Sequence, residues 1–124
     1  MRWQVIIAED DPVVRQVLVD LMADNRFLQC AGVAEDAAEA VDVARRLQPD
    51  VAVLDVKMPG GGGPRAARDI RRVSPATRIV AFSAFDDRIA KAEMQRAGAA
   101  AFLVKGTSVR ELIDAIRSLC ETPT

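Results

Sequence analysis

Three acids in a row, a fourth acid, a hydroxyl and a lysine stand out because each group directly follows a short apolar run. Glu9-Asp10-Asp11 follow Val5-Ile6-Ile7-Ala8, Asp55 follows Val51-Ala52-Val53-Leu54, Ser83 follows Ile79-Val80-Ala81-Phe82, and Lys105 follows Ala101-Phe102-Leu103-Val104. Carboxylates brought together repel by ~4 kcal/mol per pair at 4 Å and an effective dielectric near 20. A hard divalent cation with oxygen ligands offsets that cost. Mg²⁺ bound through a few carboxylates and water, beside a phosphate, is the usual arrangement. Lys105 adds a second positive charge and Ser83 a hydrogen bond, a set that suits a tetrahedral dianion better than a neutral substrate. In such a site Asp55 is the candidate nucleophile of a phosphoryl transfer, forming an acyl phosphate.

Blander roles compete with each residue. An acid before Pro12 can cap a helix, where negative charge is favoured. One cap accounts for one acid, and three stand here. Ser83 and Lys105 taken singly are ordinary solvated residues, and Phe102 taken singly is a core residue; the case for Ser83 and Lys105 is their company. The run Gly60-Gly61-Gly62-Gly63 is not a phosphate-binding loop, since no Gly-Lys-Ser/Thr follows it. It predicts a mobile loop next to Asp55, rich in backbone entropy. The chain has no histidine. That excludes histidine general-base catalysis and a phosphohistidine of its own, and argues against a zinc site.

The elements that must position these groups are legible from the apolar pattern. Short apolar runs at 5–8, 30–34, 51–54, 78–82 and 101–104 alternate with helical repeats. The first helix starts at Pro12 behind an Asp11 cap, with Val13, Val14, Val17, Leu18, Leu21 and Met22 at helical spacing. Asp36 and Glu39 form an Asp version of a capping box, before Ala40, Val41, Ala44 and Leu47. A third helix begins near Pro64 and turns Ala66, Ala67, Ile70 and Val73 inward. A fourth runs from Asp86 to Ala97 with a thin stripe of Ala90, Met94 and Ala97, ending at Gly98. The last opens on the capping box Ser108-x-x-Glu111 and buries Val109, Leu112, Ile113, Ile116 and Leu119.

Five strand–helix units in 124 residues predict an α/β fold of the doubly wound (βα)5, flavodoxin-like kind. Its parallel sheet is covered by helices on both faces. Such sheets bind ligands outside the carboxyl ends of their strands, at the switch in strand order. The four groups therefore converge on one rim. Residues 1–121 read as one domain and 122–124 as a tail or the start of a linker. Seventeen Lys and Arg nearly cancel eighteen Asp and Glu, so no overall field favours nucleic acid or an anionic membrane. No helix-turn-helix segment, basic stripe, membrane-length apolar run or signal peptide is visible, and a cytoplasmic protein with Cys30 and Cys120 reduced is expected.

The set Glu9-Asp10, Asp55, Ser83 and Lys105, in this order and each at a strand end, resembles the receiver domains of two-component response regulators. The resemblance covers the chain from Val5 to about Leu119 and includes Asp55-Val56-Lys57-Met58-Pro59, a loop glycine at Gly63, Ser83-Ala84, Lys105-Gly106, and Pro12 and Arg15 behind the acids. It implies a sheet of order 2-1-3-4-5. Asp10 would bind Mg²⁺ directly, Glu9 through water, and the Lys57 carbonyl would complete the metal site with Asp55. It further implies a phosphohistidine donor on a histidine kinase or phosphotransfer protein, Ser83 and Phe102 as switch residues, and output through the fourth helix, fifth strand and fifth helix. The spacing from Asp55 to Ser83 and the segment from Ala97 to Lys105 look most like receivers of LuxR-type transcriptional regulators. By that likeness an output domain or effector lies downstream and a homodimer through the last helix is open. Departures are Lys57, close enough to compete with the metal or touch the phosphoryl group, and Phe85 after Ala84. Two rival classes stand beside this reading. An aspartyl hydrolase would want an acid where Lys57 stands, and a phosphate-independent interaction module would not need the whole set.

Overall fold

The computed structural model describes residues 2–106 and 109–121. Strands and helices alternate without exception: β1 (Trp3–Ala8), α1 (Pro12–Ala23), β2 (Leu28–Ala34), α2 (Ala37–Leu47), β3 (Val51–Asp55), α3 (Gly62–Val73), β4 (Arg78–Ser83), α4 (Arg88–Ala97), β5 (Ala101–Val104) and α5 (Val109–Glu121). All strand pairs are parallel, in the order β2-β1-β3-β4-β5. This is the expected flavodoxin-like arrangement. The order reverses between β1 and β3, which opens the crevice above their carboxyl ends.

Alternation along each strand divides the core into two layers. Ile6, Ala8, Ala52, Leu54, Ile79 and Ala81 point toward α2, α3 and α4, whose contacts are mostly alanines, with Val43, Ile70 and Met94 as larger members. Val5, Ile7, Val51, Val53, Val80 and Phe82 point the other way, against Leu18 and Met22 of α1 and Leu112 and Ile116 of α5. Three helices cover one face and two cover the other. The small side chains on the three-helix face let those helices lie close to the sheet. β3 is buried at every position and β5, at the sheet edge, at none. Each fully buried Leu or Ile contributes roughly 1.5–3 kcal/mol relative to exposure.

Helix starts follow the capping residues. Asp11 accepts from the Val13 and Val14 amides, Asp36 from Glu39 and Asp87 from Ile89 and Ala90. α4 thus begins at Arg88, one residue after its cap, and ends on left-handed Gly98. The six apolar positions of α1 are more than one sheet face can cover, so Val13 and Val17 are exposed at 71% and 50% while Leu18 and Met22 fill the core. Leu47, the last residue of α2, is likewise exposed. The glycine run corrects an expectation, since it is not all loop: α3 begins at Gly62, and Gly62 and Gly63 are buried in its first turn. The capping serine Ser108 and the side chain of Val109 lie outside the described residues.

Candidate functional site

The three acids after β1 separate by role. Asp11 spends one carboxylate oxygen on the cap of α1, and its own amide donates to Glu9 Oε2 at 3.2 Å. Arg15, one turn into the helix, donates to the Glu9 carbonyl at 2.8 Å and pairs with Glu35 at 3.4 Å, which fixes the turn. Glu9 is thereby held inward and only 1% exposed, whereas Asp10 faces solvent at the mouth of the crevice. Asp55, 6% exposed, rises from the end of β3 opposite them. Carboxylate oxygens of Glu9, Asp10 and Asp55 all lie within 4.8 Å of one another.

Lys105 completes the crevice from β5. Its amide donates to the Ser83 carbonyl at 2.5 Å, continuing the sheet for one more residue. Its ammonium stands 2.5 Å from Glu9 Oε1 and 3.3 Å from Asp55 Oδ1. One cation therefore faces three carboxylates. Burial first, then the neighbouring Glu9, pushes the Asp55 carboxyl up to about 7, and Lys105 offsets only part of this. For Asp10 the cost of burial is outweighed by hydrogen bonding with Asp55 and Glu9, and its carboxyl goes down. For Lys105 burial is outweighed by Glu9 and Asp55, and the ammonium is held above its usual range.

The glycines after Asp55 now have a reason. A Cβ at Gly63 would stand 2.9 Å from the Asp55 carbonyl oxygen and 3.0 Å from Val56 Cα. Gly62, at φ +72°, would put one 2.7 Å from the Val56 carbonyl. The Gly63 amide donates to that same carbonyl at 2.8 Å. The start of α3 is thus pressed against the backbone that carries the acid, and only glycine permits the approach.

The remaining residues are not all gathered at the crevice. Ser83, 5% exposed, turns its hydroxyl into the β4–α4 turn, donating to the Phe85 carbonyl at 2.9 Å and accepting from the Phe85 amide at 3.2 Å. The Lys57 amide donates to Asp55 Oδ1 at 3.3 Å, while its exposed ammonium lies 5.2 Å from the centre of the Phe85 ring. This bridge between the two loops beside Asp55 escaped the sequence reading, for which Lys57 and Phe85 were separate departures. Phe102, half-buried, packs on the three-helix side of the core and is paired in register with Ala81.

The comparisons agree with this architecture. The model of the response regulator receiver domain matches residues 5–117. The chain is 34% identical over 116 residues to the response regulator GacA of Pseudomonas aeruginosa, covering 94% of this chain and 54% of that protein. Among solved structures it resembles the signal receiver domain of the putative response regulator NarL from Mycobacterium tuberculosis, with 29% identity, a TM-score of 0.92 and 98% of each chain covered. A two-component response regulator of the LuxR family from Aurantimonas is similar at 29% identity and a TM-score of 0.90, over 97% of this chain and 86% of that one. The chain spans about half the length of the curated relatives it matches. Among the described residues no helix is long and apolar enough to cross a membrane. With its fold, its acidic crevice and these relatives in agreement, the chain belongs to the receiver domains of two-component response regulators.

Proposed function

We propose that Asp55 accepts a phosphoryl group from a phosphohistidine on a histidine kinase or phosphotransfer protein, with Mg²⁺ held by Glu9, Asp10, Asp55 and the Lys57 carbonyl. The observation that carries this reading is the charge imbalance of the crevice. Three carboxylates face one ammonium, and burial with the neighbouring Glu9 pushes the Asp55 carboxyl up to about 7. An all-oxygen donor set short of positive charge fits Mg²⁺. When bound, the ion lowers the cost of ionising Asp55 and neutralises charge on the phosphoryl oxygens.

Asp55 gives up its proton as it becomes the nucleophile. One carboxylate oxygen forms a bond to phosphorus as the donor's P–N bond breaks, and the imidazole leaves with the electron pair and takes up one proton, which balances the one Asp55 lost. The product carries a charge of ~−2 with three acceptor oxygens. Lys105, already 3.3 Å from Asp55, supplies the nearest ammonium for them. Ser83 must leave the Phe85 carbonyl to donate to the same group, so phosphorylation releases the β4–α4 turn. Phe102 then repacks and the change is passed to α4, β5 and α5. α4 suits this part because few side chains hold it; Met94 and Ala97 are its only fully buried residues. The switched surface controls an output domain or effector protein, as transcription factors of the LuxR type would require. Residues 1–121 form the working unit in this reading, in the cytoplasm.

Intact mass after incubation with acetyl phosphate and Mg²⁺ tests it. The wild type should gain ~80 Da in a metal-dependent way and Asp55→Asn should gain nothing. A gain that survives Asp55→Asn, or none in the wild type while beryllofluoride and Mg²⁺ leave the amide spectrum unchanged, overturns the assignment.

A further inference from the structure

A net charge of −1 conceals a segregation of charge between the two helical layers. Helices α2, α3 and α4 carry two, four and three basic residues against two, one and one acidic. Helices α1 and α5 carry one and two basic against one and three acidic. Part of the basic excess serves local structure. Arg45 and Arg46 share Asp42, Arg65 and Arg72 share Asp69, and arginines in last turns complement the helix dipoles. Arg68 has none of these reasons: it is exposed in the middle of α3.

Arg68 stands beside an open cleft. Between the start of α3 and the start of α4 is a cavity of about 250 Å³ whose walls include Pro64, Ile89 and Glu93. Ile89, on the wall of this cavity, is 71% exposed. Helical spacing extends both walls. On α3, Arg68 and Arg71 lie four and seven residues beyond Pro64; on α4, Glu93 and Arg96 lie four and seven beyond Ile89. The Arg71 side chain reaches across to Gly98 at the end of α4. The upper end of the groove thus mixes Pro64, Ile89 and Ala90 with Lys57, Asp87 and Glu93, and helical spacing places the arginines below.

We propose that the α3–α4 groove docks an acidic protein segment, one aliphatic side chain entering beside Pro64 and Ile89 and the carboxylates that follow it lying over Arg68, Arg71 and Arg96. Guanidinium forks match carboxylates in pairs, and Asp42 and Asp69 already show a carboxylate held between two arginines on this layer.

The test uses the whole chain and a fluorescein-labelled peptide with one leucine followed by three glutamates at helical spacing, read by anisotropy at low salt. The same peptide with lysine for glutamate, and a short DNA duplex, are the controls. Saturable binding by the acidic peptide alone is expected. It should weaken by at least about fivefold in Arg68→Glu/Arg96→Glu and also in Ile89→Asp, and stay unchanged in Arg110→Glu on α5. Circular dichroism verifies that each variant is folded. The proposal is overturned by tighter binding of the duplex or the lysine peptide, by no binding, or by indifference to the arginine reversals. A dimer in sedimentation that Ile89→Asp dissolves would also overturn it, with a second copy as the occupant.

Discussion

Replacing the acceptor should make the fold stronger, by a margin that opens above about pH 4 and is complete above about pH 7. Burial and Glu9 raise the Asp55 carboxyl from 3.8 to about 7. Between those values the folded chain keeps a proton that the unfolded chain has released. The stability tied to this group is therefore complete below about pH 4 and is lost as pH rises through about 7. At 1.36 kcal/mol per pH unit, a gap of about three units caps the loss at about 4 kcal/mol. Asp10 and Lys105 share the proton and the charge, so about half of that is expected, ~2 kcal/mol for Asp55→Asn at pH 8 without metal. For a chain of this length that is ~8 °C in Tm. Thermal and urea unfolding of both proteins in chelator-treated buffer at pH 5 and pH 8 measure it. The advantage should shrink to about 0.8 kcal/mol at pH 5, where the unfolded wild type has been ionised over only about one of the three pH units. Saturating Mg²⁺ at pH 8 should close the gap from the wild-type side. Equal stabilities at both pH values, or a larger difference at pH 5, would refute the charge argument.

Other substitutions separate the parts of the site. Lys105→Ala leaves Glu9 buried without its cation and should cost about 2–4 kcal/mol at pH 8 by urea titration, with phosphoryl gain from acetyl phosphate lost in the same protein; unchanged stability would remove the ion pair from the account. Mg²⁺ should raise the wild-type Tm in a concentration-dependent way and do so much less in Asp10→Asn, read by thermal shift; equal shifts would place the ion elsewhere. Gly63→Ala presses a methyl on the Asp55 and Val56 backbone and should destabilise by about 1–3 kcal/mol, whereas Gly106→Ala, with nothing within 4 Å of the added carbon, should show only the smaller cost of its positive φ. Asp87→Ala removes the cap of α4 and should cost about 1 kcal/mol, visible in hydrogen exchange as loss of protection confined to α4.

What the sequence made legible was whatever is set by neighbours along the chain. Strand ends, helix caps at Asp11 and Asp36, and the convergence of Glu9, Asp10, Asp55 and Lys105 all follow from periodicity and from the rule that parallel sheets bind at their carboxyl ends. What it missed depends on contacts across the fold. Which of the six apolar residues of α1 are buried was not legible, because the sequence cannot show how wide a stripe the sheet covers: Val13 and Val17 are exposed. Gly62 and Gly63 read as loop because their reason, the approach of α3 to the Asp55 backbone, lies outside their own segment. The Ser83 hydroxyl was expected to face the acceptor, and its engagement with Phe85 is a turn geometry that no spacing announces. The basic layer was invisible for a related reason: its charges are dispersed over three helices and cancelled in the total by acids elsewhere.

The contact between Lys105 and Glu9 joins the last strand to the first. A chain emerging from the ribosome has all of its crevice carboxylates well before it has the ammonium that faces them. Until β5 is synthesised and seated on β4, Glu9 and Asp55 have no fixed cation, and their mutual repulsion opposes closure of the β1–β3 crevice. If Asp55 is the acceptor proposed above, a chain that stops short of β5 is expected to lack a working acceptor site, because its carboxylates would face one another without Lys105.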